Sequence, residues 1–174
     1  VVAGVRVTTP ARTLADLGAV VDDDTVERAA EAMLRGGLVT EAELWAVVKR
    51  LSRRGRQGVP VLARVLRRRR GRTPTESDLE TRFLQVVRRL GFREPTVRQF
   101  PVRRPSGAPL RVDFAWRVGR RHVLVEVDGV GVHANEDALI ADLQRQNALL
   151  RRRPALLRFT SDEVDRHPEK IDHD

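Results

Sequence analysis

Two short segments hold the residues whose types and spacing could do chemistry: Arg111-Val112-Asp113-Phe114-Ala115-Trp116 and Val123-Leu124-Val125-Glu126-Val127-Asp128-Gly129. Each alternates apolar with other residues, the period of a half-buried strand. Each also places carboxylates where they are costly to bury unless paired or bound to metal. Gly119-Arg120 between them is a two-residue hairpin turn. With Val118 paired to Arg121, Asp113 falls opposite Glu126 and Arg111 opposite Asp128, side chains of opposed residues being about 5 Å apart on one face. Two carboxylates that close repel unless a cation lies between them. With the Val127 carbonyl they form a hard-oxygen set suited to Mg²⁺, with Mn²⁺ as a substitute. Metal-dependent phosphodiester hydrolysis needs such ligands, a group to orient or deprotonate the attacking water, and cations for the scissile phosphate. Asp128, followed by Gly129 and then by His133, extends the set past the strand end. Glu80, weighed against Glu76 one turn earlier, reaches in from the helix before the sheet.

The elements that must position these residues follow from capping signals and periodicity. Thr9-Pro10 opens a helix to about Ala19. A second follows Asp23 or Asp24 as cap, with Val26, Ala29, Ala30, Met33 and Leu34 as its stripe, and ends at Gly36-Gly37. Thr40 to Glu43 is a capping box opening a third through Leu44, Val47, Val48 and Leu51. A fourth runs from about Val59 through Leu66 into the run Arg67 to Arg70. Gly71-Arg72 reads as a linker, dividing a helical region, 1–72, from a second domain, 73–174. Thr73-Pro74-Thr75-Glu76 repeats the capping-box pattern and predicts a helix over 74–90, with Leu79, Phe83, Val86, Val87 and Leu90 on one face. A strand from Thr96 to Val102, a Pro- and Gly-containing loop and the carboxylate hairpin come next. A helix from about Asp137 to Leu150, a strand from Ala155 to Thr160 and a short helix from Ser161 close the chain. The order α-β-β-β-α-β is a mixed α/β arrangement with helices packed on a central sheet.

Composition narrows the class. The chain has 174 residues, 41% of them hydrophobic, and a net charge of +9, so it can build one good core, or one domain and a small helical one. Without cysteine there is no disulfide, thiolate nucleophile or Cys-based zinc site, and the four histidines are scattered. No stretch approaches the length of a membrane span and no signal peptide is visible, which makes a cytoplasmic protein the default expectation. The chain starts at Val1 rather than Met and so reads as a fragment. All the basic residues except Lys49 and Lys170 are arginines, many in short runs. Guanidinium forks suit phosphate oxygens and a basic field draws in nucleic acid, although an Arg- and Ala-rich proteome would look similar.

From about Thr73 onward the chain resembles the Vsr-like endonuclease domain of the PD-(D/E)XK nuclease superfamily. The matching features are Glu76-Ser77-Asp78-Leu79-Glu80, Val112-Asp113-Phe114, Val125 to Gly129 with His133, Asp142 with Arg145 and Asn147, and Leu157-Arg158-Phe159-Thr160. The resemblance implies a restriction-endonuclease-like α/β core, a mixed sheet flanked by helices, after a small N-terminal all-α region. It implies Mg²⁺-dependent cleavage of DNA, in repair or defence. Asp113 and Glu126 would be metal ligands, and His133 and Asp142 proton-handling groups. Arg111, Arg120, Arg121 and Arg145 would grip DNA phosphates. One position departs from the pattern: Asp128 stands where the superfamily places a lysine, so Asp128 either binds a second metal, acts as base, or marks lost activity. Residues 1–72, notably Thr8 to Leu17, are similar to the helical segment preceding this domain in many such proteins, whose longer relatives begin with a winged-helix region resembling abortive-infection antitoxins.

Plainer readings stand beside these. Asp113 could pair with an arginine such as Arg111 or Arg158, Asp128-Gly129 could be a turn, and Asp142 with Arg145 a helical surface pair. Trp45 and Trp116 read as core aromatics. From a different class, the chain reads as a non-catalytic DNA-binding or antitoxin-like regulator that kept the fold.

Overall fold

The computed structural model describes residues 3–52, 56–69, 71–103, 109–129 and 155–172. The chain divides into two compact units, 1–81 and 82–174. The first holds four helices: α1 (Pro10–Leu17), α2 (Asp23–Arg35), α3 (Glu41–Leu51) and α4 (Gly58–Arg69). The local signals explain most boundaries. Thr9 caps α1 with Pro10 in its first turn, and Thr40 and Glu43 form the expected reciprocal box on α3. Asp22, rather than Asp23 or Asp24, caps α2, its carboxylate accepting from the Thr25 N–H at 2.8 Å.

Leu14, Val26, Leu44, Leu62 and Leu66 are fully buried in this unit's core, where α4 packs against the other three helices. Trp45, expected in the core, is 37% exposed. α1 and α4 approach so closely that no side chain fits between them at Gly58. A Cβ there would lie 2.2 Å from the Ala15 carbonyl oxygen and 2.7 Å from the Ala19 nitrogen, both rigid backbone atoms. Gly58→Ala is therefore expected to destabilise the unit by about 1–3 kcal/mol, the usual range for overpacking. Urea denaturation followed by circular dichroism checks this, and an unchanged midpoint would contradict the close approach.

Helix α5 (Asp78–Arg89) starts four residues later than the Thr73 box predicts. Two hydrogen bonds hold Thr75 out of the helix: its N–H donates to Glu31 Oε2 at 3.2 Å, and its carbonyl accepts from Arg35 Nη1 at 3.0 Å. Ser77 then takes the cap, accepting from the Glu80 N–H at 3.0 Å.

In the second unit β1 (Val97–Arg103), β2 (Pro109–Val118), β3 (Arg121–Asp128) and β4 (Ala155–Thr160) form one sheet in that order. β1, β2 and β3 are antiparallel neighbours, while β4 runs parallel to β3. The fold class is thus mixed α/β, as expected. Phe83 of α5 stacks on Phe114 and Phe159, with ring centroids 5.6 and 5.3 Å apart. Leu84, outside the expected stripe, is buried with Phe83, Val86 and Val87. Trp116 meets Phe83 edge-on and its indole N–H donates to the Arg93 carbonyl at 2.7 Å. Helix α6 (Ser161–Arg166) and a 3-10 turn (Pro168–Asp172) complete the described chain. The helix starts at Ser161 as expected, capped by Thr160, to which Glu163 returns the bond. The expected helix over 137–150 lies outside the described residues. No helix among the described residues is long and apolar enough to cross a membrane.

Candidate functional site

The hairpin register is the expected one, from Val118 opposite Arg121 to Phe114 opposite Val125. Gly119 has φ +61, the glycine-first geometry that matches strand twist in a two-residue turn. The ladder then stops, so the expected direct oppositions of Asp113 with Glu126 and Arg111 with Asp128 do not form part of it. Asp113 instead uses its side chain as a backbone acceptor: Oδ2 takes the N–H of Val127 at 2.9 Å. The ladder on the other side is interrupted at the same level. β1 and β2 pair at Arg98–Phe114 and again at Phe100–Val112, skipping Gln99 and Asp113. Gln99 is buried and has φ +55, a left-handed conformation that is uncommon for a non-glycine residue inside a strand. Strain of this kind persists where the surroundings over-determine it, commonly at functional sites. Strand alternation gives no sign of it, and sequence reasoning missed Gln99.

Glu126 lies one residue from that anchor. Its flanks, Val125 and Val127, are buried, and Glu126 itself is 7% exposed. The parallel register sets Arg158 of β4 directly opposite it. Nε and Nη2 of Arg158 donate to the same oxygen, Oε2, at 3.0 and 2.8 Å. Nε also lies 3.9 Å from Oδ2 of Asp128. Arg158, one of the arginines considered for Asp113, thus pairs with Glu126, with Asp128 at its margin. Burial pushes the Glu126 carboxyl above its ordinary value, helped by the Asp128 charge, and the Arg158 bond and charge only partly offset this. Oε1 of Glu126 accepts no hydrogen bond from the described residues.

The other expected residues are less concentrated. Glu80 belongs to the first unit, where its Oε2 accepts from the Glu76 N–H at 2.9 Å, a helix-capping contact. His133, Asp142, Arg145 and Asn147 lie outside the described residues. Arg111, Arg120 and Arg121 are exposed along the hairpin, as phosphate contacts require. Elsewhere Arg64 and Arg68 pair with Asp23, Arg88 with Glu94 and Arg82 with Asp165. Arg69, inside the run 67–70, is buried against Glu31 and Glu41.

No protein-family model, curated protein or solved structure matches the chain. The site must therefore be judged on its own atoms. An apolar cleft of about 330 Å³, lined by Phe83, Trp116, Val123, Val125, Leu157 and Phe159 among others, offers no polar group for chemistry. Alternation along β3 puts Val125 and Glu126 on opposite faces, so this cleft and the acids are separate features. Among the described residues no group of three or more His, Cys, Asp or Glu side chains gathers as a metal site. What exists is smaller: two carboxylates on neighbouring strands, the Val127 carbonyl, and Asp128 beyond. Mg²⁺ is usually held by one or two carboxylates, with waters and substrate phosphate completing its shell, and this donor set fits that pattern.

Proposed function

We propose that the chain is a Mg²⁺-dependent DNA endonuclease whose site is formed by Asp113, Glu126 and Asp128. The observation that carries this reading is the buried Glu126, which spends one oxygen on Arg158 and keeps Oε1 without a hydrogen bond from the described residues. A desolvated carboxylate with an oxygen in reserve, next to a second acid anchored by the backbone, suits a hard cation. Asp113, Glu126 and the Val127 carbonyl would hold Mg²⁺, or Mn²⁺ in its place. When bound, the ion supplies charge stabilisation at a phosphoryl oxygen and a more acidic water. Asp128 keeps a side chain 33% exposed, which suits a base that orients the attacking water and accepts its proton. Arg111, Arg120, Arg121 and Arg145 hold the phosphate backbone, and His133 shares the proton handling. Repair or defence would be the setting.

A second reading, a DNA-binding or antitoxin-like regulator without turnover, is favoured by one observation. Arg158 already supplies Glu126 with a countercharge, and Asp128 cannot do what a lysine would.

The two separate in one experiment. The full chain is incubated with supercoiled, linear and mismatched DNA in Mg²⁺, Mn²⁺ or EDTA. Nicked or linear products that depend on the metal are expected. Salt-sensitive binding without cleavage in either metal would support the regulator, and absence of both binding and cleavage would overturn both readings.

A further inference from the structure

We infer that Arg158 is a built-in countercation of the acid site, so that a divalent cation at Glu126 must share or displace a guanidinium already bound there. The inference rests on the same site as the proposed function but not on turnover. Three observations carry it. The β3–β4 register places Arg158 opposite Glu126, so the pairing is dictated by the backbone rather than by a chance side-chain rotamer. Both guanidinium bonds end on one oxygen, Oε2, at 2.8 and 3.0 Å. The same Nε stands 3.9 Å from Asp128 Oδ2, so one positive charge serves both acids of β3. The side chains involved are largely removed from water, Glu126 at 9% and Arg158 at 19% exposure, where charges are poorly screened.

The consequence is a competition. At this end β3 carries two acids, Glu126 and Asp128, and no basic residue beside them. The cation comes instead from the neighbouring strand and lies on the carboxylate proposed as a metal ligand. A divalent ion brought to Glu126 meets a like charge within a few ångströms. The repulsion weakens metal binding, and it ends when the guanidinium is removed.

The test uses the full chain and Mn²⁺ alone, with binding read by isothermal titration calorimetry and by the electron paramagnetic resonance signal of free Mn²⁺. Arg158→Met keeps the aliphatic stem and removes the charge. It is expected to bind Mn²⁺ at least about tenfold more tightly than the unaltered chain. Adding Glu126→Gln should abolish the gain, and Arg158→Lys should fall between the two. Should the methionine variant fail to fold, Arg158→Gln carries the same comparison. Equal or weaker Mn²⁺ binding without the guanidinium, or no binding in either form, would overturn the inference. The outcomes stay distinct from those of the nuclease reading. If the unaltered chain neither binds Mn²⁺ nor cuts DNA and Arg158→Met gains the metal, the endonuclease proposal fails and the countercation stands. If the unaltered chain cuts DNA and Arg158→Met binds Mn²⁺ no more tightly, the reverse holds.

Discussion

Replacing Arg69 by methionine is expected to destabilise the helical unit by about 3–5 kcal/mol, the cost of leaving a buried charge without its partner. Arg69 is 3% exposed although it sits in a run of four arginines. Its Nε donates to Glu31 Oε1 at 3.3 Å, its Nη1 to Glu41 Oε2 at 3.0 Å and its Nη2 to the Arg72 carbonyl at 2.7 Å. The two acids extend the network to the backbone: Glu31 accepts from Thr75 N–H and Glu41 from Gly71 N–H. One guanidinium therefore ties α2, α3 and α4 to the segment leading into α5. The Glu31 side chain is 2% exposed, so deleting the arginine removes a countercharge from a carboxylate held in the core. Glu41 is 26% exposed and can recover water. The measurement is convenient because each unit has one tryptophan, Trp45 in the first and Trp116 in the second. In a Trp116→Phe background, urea denaturation followed by Trp45 fluorescence reports on the helical unit. Adding Glu31→Leu should recover only part of the loss: a buried pair replaced by apolar residues is often neutral, but the buried Thr75 N–H loses its acceptor. A loss below about 1 kcal/mol would mean that the network is solvated, like an ordinary surface pair.

That arginine also marks where reading the sequence runs out. A run of four looks like a solvated phosphate grip, and burial depends on which acids three other elements bring to it. Features whose causes are local were legible. The Gly119 turn, the hairpin register and the Thr40–Glu43 box each depend on residues only a few positions apart. Where two local signals compete, distant contacts decide. Thr73–Glu76 and Ser77–Glu80 both fit a capping box, and the bonds of Thr75 to Glu31 and Arg35 select the second. At the end of β4, Thr160 and Ser161 both offer hydroxyls, and the acid three residues after Thr160 selects it. The candidate site was legible as a set of acids but not as an arrangement. Extending the hairpin register predicted Asp113 facing Glu126. The ladder breaks there because the Asp113 carboxylate competes successfully for the Val127 N–H. The Arg158 pairing depends on a parallel register between strands separated by more than twenty residues, which no periodicity encodes.

Asparagine and alanine at position 113 are expected to part company, and the difference decides what the acid is for. Asp113 is asked to do two things: accept the Val127 N–H, as it does at 2.9 Å, and contribute charge to the proposed cation site. Asp113→Asn keeps a carbonyl oxygen of the same reach, so the strand bond survives and stability should change by less than about 1 kcal/mol. Asp113→Ala removes the acceptor and leaves a backbone N–H unsatisfied in a buried strand, where Val127 is 7% exposed. That costs about 1–3 kcal/mol, measurable through Trp116 in a Trp45→Phe background. The proposed cleavage is expected to respond differently. Loss of one ligand charge removes several kcal/mol of transition-state stabilisation, so either substitution is expected to lower the rate about a thousandfold. Asparagine with a native denaturation midpoint and no cleavage would assign Asp113 a charge-dependent role. Asparagine that cleaves at the native rate would reduce Asp113 to a backbone acceptor that ends the ladder. The metal would then have to be held through Glu126 and Asp128, the two acids that Arg158 spans.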